Sequence, residues 1–223
     1  MLQLEIIFED EDILVCHKPQ GTATQTKRIG QQDMVSLIAN YRAKKGEKPY
    51  VGVVHRLDQP VEGVMVFAKN PKAVAELSRQ VRERNIGKHY YAISNSKGIE
   101  EAGKRPVTLT GYIAFDGRKN VSRIVPENDP EGKKAELEYT VHKVVDGKVL
   151  FDVLLHTGRH HQIRLQMAEV GYPLIGDTKY GTLGEEKGLG LCSYRLEFTH
   201  PRTKKKMDFS ITPQGAVFQK FFG

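Results

Sequence analysis

The sequence predicts an α+β fold in which a mixed, largely antiparallel sheet is flanked by helices. Short apolar runs bounded by turn residues recur along the chain, as expected of strands. Two of these runs, at residues 137–145 and 149–155, flank Asp146-Gly147, a strong hairpin signal because such a turn requires positive φ. Helical patterns are few and do not alternate regularly with the strands, which argues against a repeated βα architecture.

The amino-terminal part of the chain is predicted to contain two helices. Asp33 can cap the first, and Asn70-Pro71 marks the start of the second, with a capping side chain followed by proline at the first helical position. The buried face of the second helix is expected to contain Val74, Leu77 and Val81. Strands are predicted at residues 4–8, 13–16, 51–54 and 61–68.

The carboxy-terminal part is predicted to add a helix at residues 162–170, which Gly171 ends. Besides the hairpin, strands are predicted at residues 88–94, 107–115, 193–198 and 207–211. Polar loops are predicted at residues 118–121, 126–134 and 181–190. Because no repeat or low-complexity linker divides the sequence, residues 1–223 are expected to form a single domain.

Composition favours a soluble protein that meets polyanions. Lysine and arginine total 34 against 27 aspartates and glutamates, and the resulting net charge of +7 attracts polyanions, although many cytosolic proteins have a similar balance. No apolar run approaches the roughly 18 residues of a membrane span, and the first residues do not resemble a signal peptide, so we expect a cytoplasmic protein with no membrane partner. Cys16 and Cys192 lie in apolar runs without a C-x-x-C pair, which predicts small core residues in a reducing compartment.

The sequence lacks the common motifs for nucleotides, cofactors and catalytic metals. No G-x-G-x-x-G, Walker loop, H-E-x-x-H or G-x-S-x-G is present. His156, His160 and His161 lie close together, but Gly158 makes a continuous helix through them unfavourable, and no acidic residue lies among them. We therefore expect hydrogen-bonding histidines rather than a metal site.

Three segments contain residues that could act on a substrate. In the first, His55-Arg56-Leu57-Asp58, the acid lies in a tight connection between two strands, although, taken alone, capping of the turn backbone is the simpler explanation. The second, at residues 154–164, groups cations and histidines that suit phosphate and base contacts, unless it is simply a solvated turn. The third, at residues 87–91, sets two tyrosines beside cations, as in base-stacking sites, although core packing is the simpler explanation for at least one of them.

In this order, the three segments resemble the motif set of RluA-family pseudouridine synthases, and the similarity extends over nearly the whole chain. The matching motifs are H-R-L-D at 55–58 with Gly63, the strand at 64–69, K-x-Y at 88–90, T-G-R-H-H-Q-I-R at 157–164, Gly171 with Pro173, Gly176-Asp177, Tyr180-Gly181, the strand and K-P-x-G turn at 12–21, and His200-Pro201. Many relatives have Thr-Ser or Val-Ser before the glycine of the first motif. This chain has Val61-Glu62, which leaves the local loop contacts and the RNA preference open.

The resemblance implies a pseudouridine synthase fold with a central RNA-binding cleft, and an isomerase that converts a uridine of ribosomal or transfer RNA to pseudouridine without a cofactor. Asp58 would be the catalytic nucleophile or base. Arg164 would pair with Asp58, because a guanidinium binds a carboxylate bidentately. Tyr90 would stack on the uracil after the base is flipped out of its helix. The residues expected to contact RNA are Arg56, Lys88, Arg159, His161 and Gln162.

The resemblance implies RNA as the partner. We further expect a monomer and, because no metal-ligand motif is present, no metal. The chain is also expected to lack the S4-like RNA-binding module that several relatives have before the catalytic domain. Two other function classes are less well supported by the sequence. An RNA-binding protein that has lost catalysis would lack the acid, whereas Asp58 and Arg164 are both present. The H-R-x-D string also occurs in kinases, but no glycine-rich phosphate loop or D-F-G accompanies it here.

Overall fold

The chain forms two compact units. The computed structural model describes residues 3–28, 30–95, 99, 105–181 and 187–223. The first unit comprises Met1–Gly87 and Ser193–Thr212, and the second comprises Lys88–Cys192 and Pro213–Gly223. Both units combine strands with short helices, which confirms the predicted α+β class.

A sheet and two helices make up the first unit. The strands follow the order β1-β2-β4-β10, with β3 paired to β4 and β11 to β10, and the pairs β1–β2, β2–β4, β3–β4 and β10–β11 are antiparallel. Its elements are β1 (Glu5–Glu9), β2 (Ile13–Lys18), α1 (Met34–Lys44), β3 (Gly52–Val53), β4 (Glu62–Ala68), α2 (Pro71–Arg82), β10 (Leu191–Thr199, whose first two residues belong to the second unit) and β11 (Lys206–Ser210).

The caps that the sequence predicts for the two helices are confirmed. The Asp33 side chain accepts a hydrogen bond from Ser36 N, and the Asn70 side chain accepts one from Ala73 N. The residues predicted for the buried face of α2 are only partly right. Leu77 is fully buried, but Val74 and Val81 pack at the edge of the core, and Gln80 is buried because its amide exchanges two hydrogen bonds with the backbone of Thr199.

The second unit contains an antiparallel sheet with the order β5-β9-β8-β6-β7. The predicted hairpin is confirmed, because Asp146 and Gly147 both adopt positive φ between paired strands. The elements are β5 (Gly87–Asn95), β6 (Val107–Asp116), β7 (Val121–Val125), β8 (Lys133–Val145), β9 (Lys148–Leu155), α3 (Gln162–Glu169), a 3-10 turn (Ala216–Phe218) and α4 (Gln219–Phe222).

Two loop predictions in this unit need correction. Val121 begins strand β7, which the sequence did not predict, and Lys133 and Lys134 belong to β8 rather than to a loop. Lys133 and Lys134 are polar, and the β7 sequence Val-Ser-Arg-Ile-Val does not alternate regularly, so antiparallel pairing with β6 is what identifies both segments as strands. The predicted loop at 181–190 lies partly outside the described residues.

Cys16 and Cys192 are fully buried, as predicted, and burial raises the pKa of the Cys16 thiol to about 12. Within the described residues, no helix has the length and apolar character needed to cross a membrane.

Candidate active site

Residues 54–61, here called the Asp58 loop, connect β3 to β4 in the first unit. Thr24 holds the loop just before the acid: its buried hydroxyl donates to Leu57 O (2.9 Å) and accepts from Leu57 N (3.2 Å). Beyond the acid, Val61 N donates to Asp58 O at 3.0 Å and closes a turn. The backbone on both sides of Asp58 is therefore fixed, while its side chain keeps partial access to solvent.

The K-P-x-G turn after β2 supports the same loop. Gly21 N donates to Gln59 O (3.0 Å), and Gln59 Nε2 donates back to Gly21 O (2.9 Å). Lys18, whose side chain is fully buried, donates from Nζ to the carbonyl oxygens of Thr22 (2.5 Å), Pro19 (3.2 Å) and Gln59 (3.2 Å). One ammonium thus ties the turn to the Asp58 loop.

Lys18 places a positive charge in direct contact with the Asp58 loop, because its ammonium donates to Gln59 O. Burial lowers the pKa of the Lys18 ammonium to about 8, and the negative charges of Asp58 and Glu62 oppose that shift. The ammonium therefore remains charged near neutral pH and gives the site a buried positive charge.

Glu62 is the residue at which this chain departs from many relatives, and it lies buried at the start of β4. Its carboxylate is 3.6 Å from Nε2 of the buried His17, whose Nδ1 contacts Glu5 at 2.9 Å. Burial lowers the pKa of His17, but the two carboxylates outweigh that effect and leave it raised. The Val61-Glu62 exchange therefore adds an acid to a buried charge network beside Lys18.

The structure explains why two further motif positions are occupied by His55 and Gly63. His55 Nε2 accepts a hydrogen bond from Val66 N at 3.1 Å, which holds the start of the Asp58 loop against β4. Gly63 has a φ of 153°, and a Cβ atom there would lie 2.5 Å from the Ser193 Cβ, so no larger residue fits.

In the second unit, the T-G-R-H-H segment forms the turn between β9 and α3. Glu136 of β8 anchors it: its carbonyl accepts hydrogen bonds from His156 N, Thr157 N and Gln162 Nε2, at 3.2, 3.1 and 3.1 Å. Gln162 is itself buried, and its Oε1 accepts from Thr157 Oγ1 and Arg159 N. The structure thus gives Gln162 a positioning role in the turn, and its contact with RNA stays a prediction.

Arg164 forms a bidentate pair with Asp177 inside the second unit. Arg164 Nε and Nη2 lie 2.8 and 2.6 Å from the two carboxylate oxygens of Asp177, and both side chains are almost completely buried. Burial raises the pKa of Asp177, but Arg164 and the backbone N–H groups of Lys179 and Tyr180 outweigh that effect and keep it below its usual value. The sequence did not predict this pairing, and the pairing of Arg164 with Asp58 stays a prediction.

The predicted hydrogen-bonding role of the histidines is confirmed for His160 and His161. His160 Nδ1 lies 3.0 Å from Ser122 Oγ, and His161 Nδ1 lies 3.0 Å from Tyr180 Oη, which also accepts from Ser122 N. Burial, followed by the charges of Arg164, His160 and Lys179, lowers the pKa of His161 to about 3. His161 is therefore neutral at physiological pH, and it starts α3 in a left-handed conformation.

Lys88 and Tyr90 lie two residues apart on β5, so their side chains share one face of the sheet. Tyr90 is buried, and Lys88 Nζ lies 3.5 Å from the position that a Cβ atom of Gly158 would take. The burial of Tyr90 confirms core packing for one of the two tyrosines. The half-buried Tyr91 packs instead between the rings of His142 and Phe222, at centroid distances of 5.3 and 5.1 Å.

The predicted residues thus fall into two groups. Asp58 and Arg56 belong to the Asp58 loop of the first unit, and Arg56 is exposed. The second group consists of Lys88, Tyr90, Arg159, His161, Gln162 and Arg164. Lys18 and Asp177 belong to the matching motifs, but the sequence did not predict what either residue contacts. A lysine at the end of an otherwise apolar strand was the available signal for Lys18.

Asp10, Asp12 and His200 of the first unit place possible metal-ligand atoms within 4.8 Å of one another. His200 Nδ1, however, accepts hydrogen bonds from Arg202 N and Thr203 N. The ring proton must then be on Nε2, which donates to Asp10 Oδ2 at 2.8 Å. Neither ring nitrogen offers a lone pair to an ion, so the cluster fits a hydrogen-bonded pair.

The chain belongs to the RNA pseudouridylate synthase family, whose model matches residues 12–169. The resemblance of its motifs to those of the RluA family is thereby confirmed.

Curated relatives carry the same family name. The chain is 34% identical over 223 residues to ribosomal large subunit pseudouridine synthase D of Pseudomonas aeruginosa, covering 92% of the chain and 67% of the relative. It is 35% identical over 207 residues to an uncharacterised RNA pseudouridine synthase of Bacillus subtilis, covering 90% and 66%. The chain spans about 60% to 66% of the length of the first three relatives it matches.

Two solved human structures have a similar fold. RNA Pseudouridylate Synthase Domain Containing 4 gives a TM-score of 0.73 at 21% identity, covering 94% of this chain and 89% of that one. Domain Containing 1 gives 0.72 at 24% identity, covering 95% and 84%. These likenesses confirm the predicted pseudouridine synthase fold.

Proposed function

We propose that this chain isomerises a uridine of RNA to pseudouridine, with Asp58 as the group that acts on the target nucleotide. The observation that carries the proposal is the construction of the Asp58 loop. Thr24 fixes the backbone before the acid, and the carbonyl after it is held by Val61 N. A partly exposed carboxylate on a rigid backbone is preorganised to meet a substrate.

The reaction breaks the N-glycosidic bond, turns the uracil and rejoins it through carbon. It neither gains nor loses electrons and transfers no group from outside. Asp58 would begin the cleavage either as a nucleophile or as a base, and both roles need the ionised carboxylate. The buried ammonium of Lys18 supports the position of Asp58 through its hydrogen bond to the carbonyl oxygen of the next residue, Gln59.

The remaining site residues are proposals of the same kind. Tyr90 would stack on the flipped uracil, and its hydroxyl could move a proton. Arg164, held by Asp177, would pair with Asp58. RNA contacts are proposed for Arg56, Lys88, Arg159, His161 and Gln162, the last acting through the turn that it positions.

We further propose that the substrate is ribosomal RNA of the large subunit. The support is that the relatives in Pseudomonas aeruginosa and Vibrio cholerae, at 34% and 32% identity, are ribosomal large subunit pseudouridine synthases. The two units would act together as one catalytic domain, since the family match runs from the first into the second. We propose a monomer acting in the cytoplasm, without a metal or cofactor.

The test is to map pseudouridines across total RNA from cells with and without the protein. A uridine that is modified only when the protein is present, and that lies in large-subunit ribosomal RNA, would support both the reaction and the substrate. A site in transfer RNA would overturn the substrate alone. Identical maps, together with no pseudouridine formed by the purified chain on unmodified RNA, would overturn the reaction.

A further inference from the structure

Phe115 is an exposed aromatic side chain in the second unit. It lies near the end of β6, half of its surface is accessible, and within the described residues it is the only phenylalanine among the exposed large apolar side chains. Its ring contacts the imidazole of His160, with centroids 4.2 Å apart and planes inclined by 53°. An exposed aromatic face beside a second ring has the composition of a stacking surface.

The two rings border a cavity of about 490 Å³, a volume within the range of small-ligand pockets, roughly 300–1,000 Å³. The residues that line the cavity include apolar, aromatic, basic, acidic and hydroxyl side chains. The cavity is lined by Ile113, Phe115, Ser122, Glu131, Lys133, Gly158, Arg159 and His160.

Hydrogen bonds hold the walls of the cavity in place. Ser122, which pairs with Phe115 across β6 and β7, donates from Oγ to His160 O at 2.8 Å and contacts His160 Nδ1 at 3.0 Å. Arg159 Nε donates to Lys134 O at 2.8 Å, so the guanidinium is fixed at the rim. The site is therefore preorganised, which lowers the entropic cost of binding.

The charges around the cavity favour an anionic ligand. Lys133 and Arg159 line it, and Arg118 and Lys119 are exposed at the adjoining β6–β7 turn. Glu131 also lines the cavity, and it shares Arg123 with Asp129, each at 3.5 Å. The lining therefore has two cations against one acid.

A series of ring contacts connects His160 at the cavity to Arg164. His160 stacks on His161 at 3.7 Å, His161 meets Tyr180 edge-on at 5.5 Å, and the Arg164 guanidinium lies over the Tyr180 ring at 5.4 Å. The surface cavity is thus linked through packed rings to the arginine proposed for catalysis.

From this arrangement we infer that Phe115 and His160 form a stacking platform for a nucleobase of single-stranded RNA other than the target uridine, with Lys133 and Arg159 binding the neighbouring phosphates. Stacking on aromatic faces beside cations is how proteins hold unpaired bases. The inference rests on the proposed function, because it takes RNA as the ligand.

The test measures binding of a single-stranded oligouridylate of about ten nucleotides, a length that suits single-strand sites. Phe115→Ala and Phe115→Leu should each weaken binding roughly 5- to 150-fold, the effect of losing one stacked base. Phe115→Tyr keeps the ring and should bind like the wild type. Val144→Ala, at an equally exposed apolar side chain on β8, is the matched control and should leave the dissociation constant unchanged.

An oligonucleotide of the same length with abasic residues separates stacking from phosphate contact. On this probe, wild type and Phe115→Ala should bind equally. The platform would be refuted by a Phe115→Ala variant that binds the oligouridylate like the wild type, or by a Phe115→Leu variant that retains full affinity. Melting of each variant shows that it is folded.

Failure of the platform and failure of the proposed function give different results. A wild-type chain that forms pseudouridine while the Phe115 variants bind normally overturns only the platform. A chain that forms no pseudouridine but loses affinity in Phe115→Ala overturns only the reaction.

Discussion

Lys18 shows how a single residue can combine structure with electrostatics. A fully buried ammonium is unfavourable unless its donors are satisfied, and here three carbonyl oxygens accept from it. Two of those carbonyls belong to the K-P-x-G turn and its neighbour, and the third belongs to the residue after Asp58. The same side chain therefore fixes the backbone of the proposed catalytic acid and supplies the positive charge near it.

The lowered pKa of Lys18 predicts a specific dependence of stability on pH. Below pH 8 the folded and unfolded chains both carry the proton, so the cost of burying the charge is fully present. Between the pKa of about 8 and the ordinary value of 10.5, the folded chain has released the proton and the unfolded chain still binds it. The free energy of unfolding should therefore rise with pH in this window, by about 3 kcal/mol if the whole shift is realised.

The measurement is denaturant unfolding of the wild type and Lys18→Met across that window. The difference between the two should change in favour of the wild type as pH rises from about 8 to 10.5. Lys72→Met, at an exposed lysine of α2, provides the control for replacing a lysine by methionine. If Lys18→Met and the wild type show parallel pH dependences, the account of a buried ammonium is wrong.

At the scale of secondary-structure elements, the Arg164–Asp177 pair joins α3 to the segment that follows it. Both partners are charged and buried, so removing Arg164 takes away the cation that compensates the buried Asp177 carboxylate. Breaking such a pair typically costs about 3–5 kcal/mol. The chain also contains an exposed counterpart, Arg195–Asp208, with a similar bidentate geometry at 2.9 and 2.7 Å on β10 and β11.

We predict that Arg164→Ala lowers the free energy of unfolding by about 3–5 kcal/mol, whereas Arg195→Ala lowers it by about 1 kcal/mol or less. The double variant Arg164→Ala with Asp177→Ala should be more stable than the sum of the single effects, because the buried Asp177 carboxylate is removed together with the cation that compensates it. Since the pKa of Asp177 is lowered, the pair contributes fully above its ordinary value of 3.8 and is lost as pH falls through the lowered pKa. Equal costs for Arg164→Ala and Arg195→Ala would contradict this prediction.

Helix starts and the hairpin turn were predictable from the sequence, because residues at those positions determine them through local hydrogen bonds and backbone conformation. Asp33 and Asn70 cap helices through side chains that bond three residues ahead, and Asp146-Gly147 makes a hairpin because both residues tolerate positive φ. Strand β7 was missed because only its pairing with β6 defines it. Three of its five residues are apolar, but Ser122 and Arg123 interrupt the alternation that is typical of a strand.

The site was predictable as a set of motifs but not as a set of contacts. The sequence identified the Asp58 loop and the segment that contains Arg164, yet it did not predict that Asp177 binds Arg164. Lys18 reaches Gln59 across 41 positions of the chain, and Gln162 reaches Glu136 across 26. Contacts at such separations depend on the fold, so neither spacing nor composition contains them.

At the scale of the whole molecule, the net charge of +7 should govern how the protein binds RNA. Each phosphate contact releases counterions, so the logarithm of the association constant should fall with the logarithm of salt concentration by about 0.7 per contact on a single strand. Arg56→Gln, at an exposed residue of the Asp58 loop, should reduce this slope by about 0.7.

Lys45→Gln is the matched control for charge removal, because Lys45 is already paired with Glu9 at 3.1 Å in the first unit. Its slope should equal that of the wild type. Binding titrations at several salt concentrations decide the matter. An affinity that does not change with salt would mean that the positive charges do not meet RNA.

The most direct test of the central claim replaces the carboxylate of Asp58 with an amide of the same shape. Pseudouridine formation by purified wild type, Asp58→Asn and Asp146→Asn should be followed on unmodified ribosomal RNA, with RNA binding measured in parallel. Asp146→Asn removes an acid from the hairpin turn, where asparagine also tolerates positive φ, and should keep full activity. We predict that Asp58→Asn binds RNA like the wild type and forms no pseudouridine. Wild-type activity in Asp58→Asn would contradict the assignment of Asp58 as the catalytic residue.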